Sequence, residues 1–223
     1  MAEIIRAEFH CHTVYSHDSS NRIPQLLSAA RERGISRLAI TDHNSIEGAL
    51  LAKELDPELV IVGEEILTTS GELLAYYVSE AIPRRLSAHE SIGRLKDQGA
   101  FIAVPHVFDH RRHGWRMEDL LEILPFVDAL EVFNARCLAR SINRRARRFA
   151  QERGLPMIAG SDAHSLVELG LGAVRLPIFN TPDELRHSLK TAVIEDRLLS
   201  PLDHLKASTL IGLGRLNPWK KRP

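Results

Sequence analysis

The chain alternates short apolar runs with longer segments in which apolar residues recur every three or four positions. The runs Leu38-Ala39-Ile40, Val60-Ile61-Val62-Gly63, Phe101-Ile102-Ala103-Val104-Pro105 and Met157-Ile158-Ala159-Gly160 are apolar on both faces, as expected of strands packed between two layers. Strands are predicted over Ile4–His10, Leu38–Thr41, Leu59–Ile66, Leu73–Val78, Phe101–Pro105, Ala129–Phe133, Met157–Gly160 and Ala173–Leu176. Helices are predicted over Ile23–Arg33, Ile46–Leu55, Ala88–Gln98, Met117–Leu124, Ala139–Arg153 and Pro182–Lys190. Gly34, Gly99 and Gly154 each follow the last turn of a predicted helix, where glycine commonly stops it. Thr181-Pro182-Asp183-Glu184 reads as an N-cap, a proline at the first helical position and acids in the first turn.

Strands and helices taking turns in this way predict an α/β fold with a parallel sheet. The length of 223 residues fits one barrel domain, and no linker, internal repeat or low-complexity stretch divides it. A domain of this size buries about 70% of its unfolded surface and needs no disulfide. Cys11 and Cys137 are therefore expected as free thiols in a reducing, cytoplasmic setting. The first nine residues lack the apolar core of a secretory signal, and no run approaches the roughly 20 apolar residues of a membrane span. The 29 basic residues balance 29 acidic ones, so the chain as a whole is no polyanion binder, although a local basic patch stays open. Residues 1–200 are expected to form the barrel. Residues 201–223 are expected as a C-terminal extension, partly packed or frayed, with the basic end Trp219-Lys220-Lys221-Arg222-Pro223.

Candidate chemistry sits at the carboxyl ends of the predicted strands. His10 and His12 are two apart, so on a strand they share a face while Cys11 points away. His-x-His alone is a weak signal. Asp42-His43, Glu64-Glu65, His106 and Asp162-x-His164 follow four further apolar runs. Five of the 11 histidines thus lie at or near strand ends, where parallel barrels assemble their active sites. Histidine and carboxylate together suit zinc, manganese or iron.

The ordered set His10-x-His12, Asp18, Asp42-His43, Glu65, His106, Asn134 and Asp162-x-His164 resembles the PHP family, named for polymerase and histidinol phosphatase domains. The stretch HCHTVYSHDS is similar to that family's opening motif and AGSDAH to its closing one; the resemblance runs from Ala7 to Leu169. It implies a distorted (β/α)7 TIM-like barrel, two or three divalent metal ions and hydrolysis of a phosphate ester. The ligands it implies are His10, His12, Asp18, His43, Glu65, His106, Asn134, Asp162 and His164. Glu65 is preferred to Glu64, and Asp18 to His17. Asn134 stands where the family often has histidine or cysteine, so a metal there would be held by fewer protein atoms. Glu65 and Asp162 are the bridging candidates. A water between two cations loses its proton near neutral pH and becomes the nucleophile. His164 or Asp18 would help protonate the departing alkoxide. Arg136, Arg112 and Arg111 are the candidate clamps for the phosphate, Arg136 foremost.

Other residues carry blander readings. Asp42 points opposite to His43 and is expected to support a ligand or cap a helix. His110 and His113 lie in a polar loop, and His89, His187 and His204 on helices or the tail. Cys11 is expected as a small buried apolar residue, and Cys137 as a candidate neighbour of the site. Arg140, Arg144, Arg147 and Arg148 share a helical face, for which a solvated outer surface is the ordinary explanation and a nucleic-acid contact the sharper one. The expected substrate is a small phosphomonoester or a short nucleotide or oligonucleotide, with no membrane involved. A metal-dependent amidohydrolase is the second reading. It usually calls for a lysine at a strand end, but Lys53 and Lys96 fall on predicted helices. The third reading is a non-catalytic, metal-stabilised module supporting a nucleic-acid enzyme.

Overall fold

A computed structural model describes residues 2–197 and residue 209. The C-terminal extension assigned to 201–223, and His204 with it, lies outside the described residues except for Thr209. In chain order the elements are β1 (Ile4–Glu8), α1 (Ile23–Glu32), β2 (Arg37–Ile40), α2 (Glu47–Leu55), β3 (Val60–Leu67), β4 (Glu72–Tyr76), α3 (Ala88–Asp97), β5 (Phe101–Val104), α4 (Met117–Ile123), β6 (Ala129–Asn134), α5 (Arg140–Glu152), β7 (Met157–Gly160), β8 (Gly172–Pro177), α6 (Pro182–Ser188) and β9 (Val193–Asp196). The sheet order is β7-β6-β5-β4-β3-β2-β1-β8-β9. A parallel bridge between Cys11 and Ala163, with the His12 amide donating to Ala163 O at 3.0 Å, brings the end of β1 against the end of β7 and nearly closes the ring. The result is a single-domain, TIM-like α/β barrel.

The fully parallel sheet expected from the alternation is corrected in two places. β4 runs antiparallel to both β3 and β5, and β8 runs antiparallel to β1 and to β9. β1, β2, β3, β5, β6 and β7 share one direction. The inversion of β4 has a simple cause. Only residues 68–71 separate it from β3, whereas a parallel crossover needs a dozen or more. The Thr68 hydroxyl donates to Gly71 O at 2.6 Å and closes the turn.

Alternate strand residues separate into two packed layers. Ala39, Ile61, Leu74, Tyr76, Phe101, Ala103 and Ala129 join one cluster with Phe179 and Leu185. Ile66, Leu73, Ala75, Ile102, Val104, Leu130 and Val132 pack outward against Ile92 and Leu95 of α3 and Phe149 of α5. Each large apolar side chain buried this way contributes roughly 1.5–3 kcal/mol before entropy is counted. The three helix stops also form as expected. Gly34, Gly99 and Gly154 adopt φ of +66°, +70° and +62°. The next amide then reaches back five residues: Ile35 to Ala30, Ala100 to Leu95 and Leu155 to Ala150. Thr181 caps α6 by accepting from the Glu184 amide.

Candidate metal centre

The strands deliver their polar ends to one mouth. His10 and His12 follow β1 and are completely buried. The His10 Nδ1 faces Glu131 Oε1 at 2.9 Å, and the His12 Nδ1 faces Ser16 Oγ at 3.2 Å. Fixing Nδ1 turns each Nε2 inward, an arrangement that orients imidazole for a metal. The His10 Nε2 lies 3.3 Å from Glu65 Oε1 and 3.6 Å from Asp162 Oδ1. The His12 Nε2 lies 3.4 Å from Glu65 Oε2 and 3.2 Å from Asp162 Oδ1. Neither Nε2 has a hydrogen-bond partner.

Glu65 also faces His43 Nδ1 at 2.9 Å and His106 Nε2 at 3.1 Å. Asp18 lies between two further rings, with Oδ1 at 3.5 Å from His43 Nε2 and Oδ2 at 3.3 Å from His164 Nε2. His12, His43 and His164 each offer one ring nitrogen within 4.8 Å of the others; His10, His106 and Asp162, and likewise His10, His12 and Glu65, do the same with two nitrogens and a carboxylate oxygen. His106 and Asp162 adopt left-handed backbone, with φ of +27° and +53°. Such conformations cost of order 1–3 kcal/mol each and gather at functional sites.

The neighbouring Glu64 faces the other way and accepts from the Ile82 amide at 2.9 Å. Beside Asp18, His17 keeps an exposed side chain, though it lines the mouth. Asp42 is buried and accepts from the Thr13 amide at 2.7 Å, from the Thr13 hydroxyl at 2.6 Å and from the Ser16 hydroxyl at 2.6 Å. Ser16 in turn meets His12, so Asp42 stands behind the loop that fixes that ring. Helix α2 is capped at Ile46, not at Asp42.

Asn134 differs from the rest of the set. Its amide donates to Glu131 Oε2 at 3.0 Å and to Asp162 Oδ2 at 3.2 Å, while Oδ1 accepts from the Arg136 amide at 3.0 Å and from Arg112. Arg112 contacts Asp162 Oδ2 as well, and lies 3.1 Å from Asp109 Oδ2 and 3.2 Å from Cys137 Sγ. Arg136 meets His164 Nδ1 at 2.6 Å and Glu168 Oε1 at 3.3 Å. Arg111, Arg112 and Arg136 all line the same cavity of about 570 Å³ as His43, His106, Asp162 and His164. His113 lines it too, whereas Cys11 is buried in the α1 cluster.

Charge within the cluster is strongly coupled. Burial alone would push the Glu65 and Asp162 carboxyls up, but the facing His10, with His43 or Arg112, holds both well below the usual range. Burial would depress His10, yet Asp162, Glu65 and Glu131 raise it well above an ordinary histidine. Burial and the like charges of His164 and His43 keep His12 neutral. Glu72 is pushed up to about 9 by burial and by Glu65.

Sequence reasoning missed three contributors. Glu72, at the start of the inverted β4, reaches His106 Nε2 at 3.6 Å. Glu131 touches both the His10 ring and the His106 amide. Arg84 lines the mouth from the loop before α3. A buried carboxylate inside an apolar strand was the available signal for Glu131, since such a group needs a partner.

A buried set of imidazoles and carboxylates at a barrel mouth, with unpartnered nitrogen atoms turned inward, defines a metal-binding α/β-barrel protein. The chain belongs to the PHP family. Residues 8–78 match the PHP domain and residues 140–193 the PHP-associated region. An uncharacterized Methanocaldococcus jannaschii protein is 32% identical over 229 residues, covering 98% of this chain and 88% of its own. Among solved structures, a two-domain Bacteroides vulgatus protein containing a predicted PHP-like metal-dependent phosphoesterase superposes with a TM-score of 0.73 at 19% identity, over 93% of this chain and 70% of that one. The lesion-specific endonuclease of Pyrococcus furiosus gives 0.58 at 17% identity, over 86% of this chain and 58% of that one. At these identities the likeness to the solved structures is one of fold. No helix among the described residues is long and apolar enough to cross a membrane.

Proposed function

We propose that the chain hydrolyses a phosphate ester with two or three divalent cations, drawn from zinc, manganese and iron, held at this mouth. The observation that carries the reading is the convergence of His10 Nε2, His12 Nε2, Glu65 and Asp162, with both nitrogens and Glu65 Oε2 buried and without a hydrogen-bond partner although facing ionisable groups at 2.9–3.6 Å. Buried polar atoms are almost always satisfied, so donors of this kind gathered in one place fit a metal ion. Neutral imidazole and carboxylate oxygen are the donors such metals take.

His10, His12, Glu65 and Asp162 would hold one cation, and Asp18, His43 and His164 a second. Glu65 would serve both, since its two oxygens face different rings. His106 approaches from the other side of Glu65, with Glu72 behind it. Asn134 is the weakest of the nine candidates because neighbours occupy its polar atoms. When bound, the cations supply Lewis acidity to the phosphoryl oxygens and lower the pKa of water.

The protein's own groups do the rest. Arg136, Arg112 and Arg111 orient the phosphate, Arg136 and Arg112 with planar guanidinium groups already aimed at the cluster. Burial would push the partly exposed Asp18 up, but hydrogen bonds and charge from His164 and His43 outweigh it and hold the carboxyl well below the usual carboxylate range. Asp18 orients His164 at 3.3 Å, and that imidazole passes a proton to the departing alkoxide from the open side. Among the described residues no lysine lines the cavity, which weighs against the amidohydrolase reading. The substrate is a phosphorylated metabolite or a short nucleotide.

The test is an assay of manganese-loaded protein against an aryl phosphate and an aryl phosphodiester, beside His10→Ala. Turnover that is lost with metal content in the variant supports the proposal. A fully loaded protein that turns over neither ester sinks it.

A further inference from the structure

We propose that the outer face of α5 is a second anion site, which takes consecutive phosphates of a single-stranded nucleic acid. The segment from Arg140 to Arg153 carries six arginines against one acid, Glu152, in a chain whose formal net charge is +0. A cavity of about 220 Å³ opens on it, lined by Phe133, Arg140, Asn143, Arg144, Arg147 and Asp196. Like charges one helical turn apart repel, so Arg140 and Arg144 disfavour the helix unless an anion lies between them.

The arginines of this segment divide by what they touch. Arg145 lies 4.0 Å from the Phe108 ring centre and Arg153 3.9 Å from that of Phe149, so both are anchored in the fold. Arg147 pairs with Asp196 at 2.8 Å. Among the described residues, no ion pair or side-chain hydrogen bond engages Arg140 or Arg144. Residues 198–223 contain a single acid, Asp203, and five bases, so their composition offers little neutralising charge.

The chemistry of the wall selects the ligand. Every cation is arginine, which grips phosphate with two parallel N–H groups and stacks on bases. A lipid surface is disfavoured because the apolar face of α5, with Ala146, Phe149 and Ala150, is buried against the barrel and cannot enter a bilayer. A flexible strand can bend into the concavity, whereas a duplex presents a stiff rod. Asn143 ties the cavity to the mouth: its amide oxygen accepts from the Asn134 N–H at 3.2 Å and its amide nitrogen donates to Asn134 O at 3.0 Å.

The experiment measures fluorescence anisotropy of a labelled oligothymidylate of about 12 nucleotides, within the usual site sizes for single strands. The protein is full length, in EDTA, so that failure of the hydrolase reading leaves this test unaffected. Wild type should bind with log K falling linearly in log salt. In R140Q/R144Q/R147Q, affinity near 0.1 M salt should drop at least about tenfold and the slope should become shallower by about 2, at ~0.7 per phosphate contact. The melting temperature of the variant serves as the folding control. Equal affinity and slope in a folded variant would overturn the site. Tighter binding of the matching duplex, or binding of anionic phosphatidylserine vesicles in place of the oligonucleotide, would overturn the ligand.

Discussion

The two ends of the barrel handle charge in opposite ways. At the amino-terminal ends of the strands, Arg186 meets Asp128 at 2.8 Å and Ala100 O at 3.1 Å, and the other Asp128 oxygen accepts from the Ile102 amide at 2.8 Å. Arg37 similarly reaches Asn180 Oδ1 at 2.7 Å and Phe179 O at 3.2 Å. These groups have their partners within the fold. At the carboxyl ends, His10 Nε2, His12 Nε2, Asp18 Oδ1, Glu65 Oε2 and His106 Nδ1 are buried without a hydrogen-bond partner. A saturated polar network stabilises the fold by itself. An unsaturated one of this density is tolerable only if something else completes it.

The comparison can be broken most decisively at the unsaturated end. Replacing His10 by alanine should remove bound metal, seen by elemental analysis, and lower kcat on the order of 10³-fold, since the Lewis acid contributes several kcal/mol. Gly160→Ala should come close behind. A Cβ there would lie 2.3 Å from the His10 Cβ and 2.4 Å from Glu131 Oε1, so the His10 ring must shift. Overpacking costs about 1–3 kcal/mol, and metal content should fall together with the melting temperature.

Chelation should act on stability through the same end. Metal present at about 100 times its dissociation constant adds roughly 2.7 kcal/mol, equivalent to about 5–10 °C in Tm for a domain this long. A scan with and without EDTA measures it, and an unchanged Tm would contradict the completion argument. Arg136→Ala should raise KM for a small phosphate ester about tenfold through loss of a charge-assisted contact, with a smaller change in kcat. At the saturated end, Asp128→Asn should cost about 1 kcal/mol in urea unfolding, because the pair is partly exposed, and leave metal content untouched.

Much of this was legible in the chain, and the failures have physical reasons. Strand and helix positions follow from period, so each predicted element formed with ends shifted by a residue or two. Direction is not encoded in period. The inversion of β4 was nonetheless readable from the short Thr68–Gly71 connection, which cannot hold a crossover. β9 escaped notice because Val193-Ile194-Glu195-Asp196 is half exposed at the sheet edge and lacks an apolar run. The histidines at strand ends stood out because the barrel rule names a location for them. Glu131 did not, since its partner His10 is 121 positions away. Arg84 did not because a loop arginine looks the same on any surface.

The Thr68–Gly71 hairpin has one further consequence. Leu67 and Glu72 at its two feet both line the mouth, and Gly71 is pressed against the Trp115 ring, where a Cβ would come within 2.5 Å. The chain therefore doubles back directly over the cavity, at a spot tethered by an indole and free of any crossover helix. Extra residues spliced into that bend would build an awning above the histidine–carboxylate cluster without disturbing the staves below, a ready route for lineages sharing this frame to trade one substrate for another.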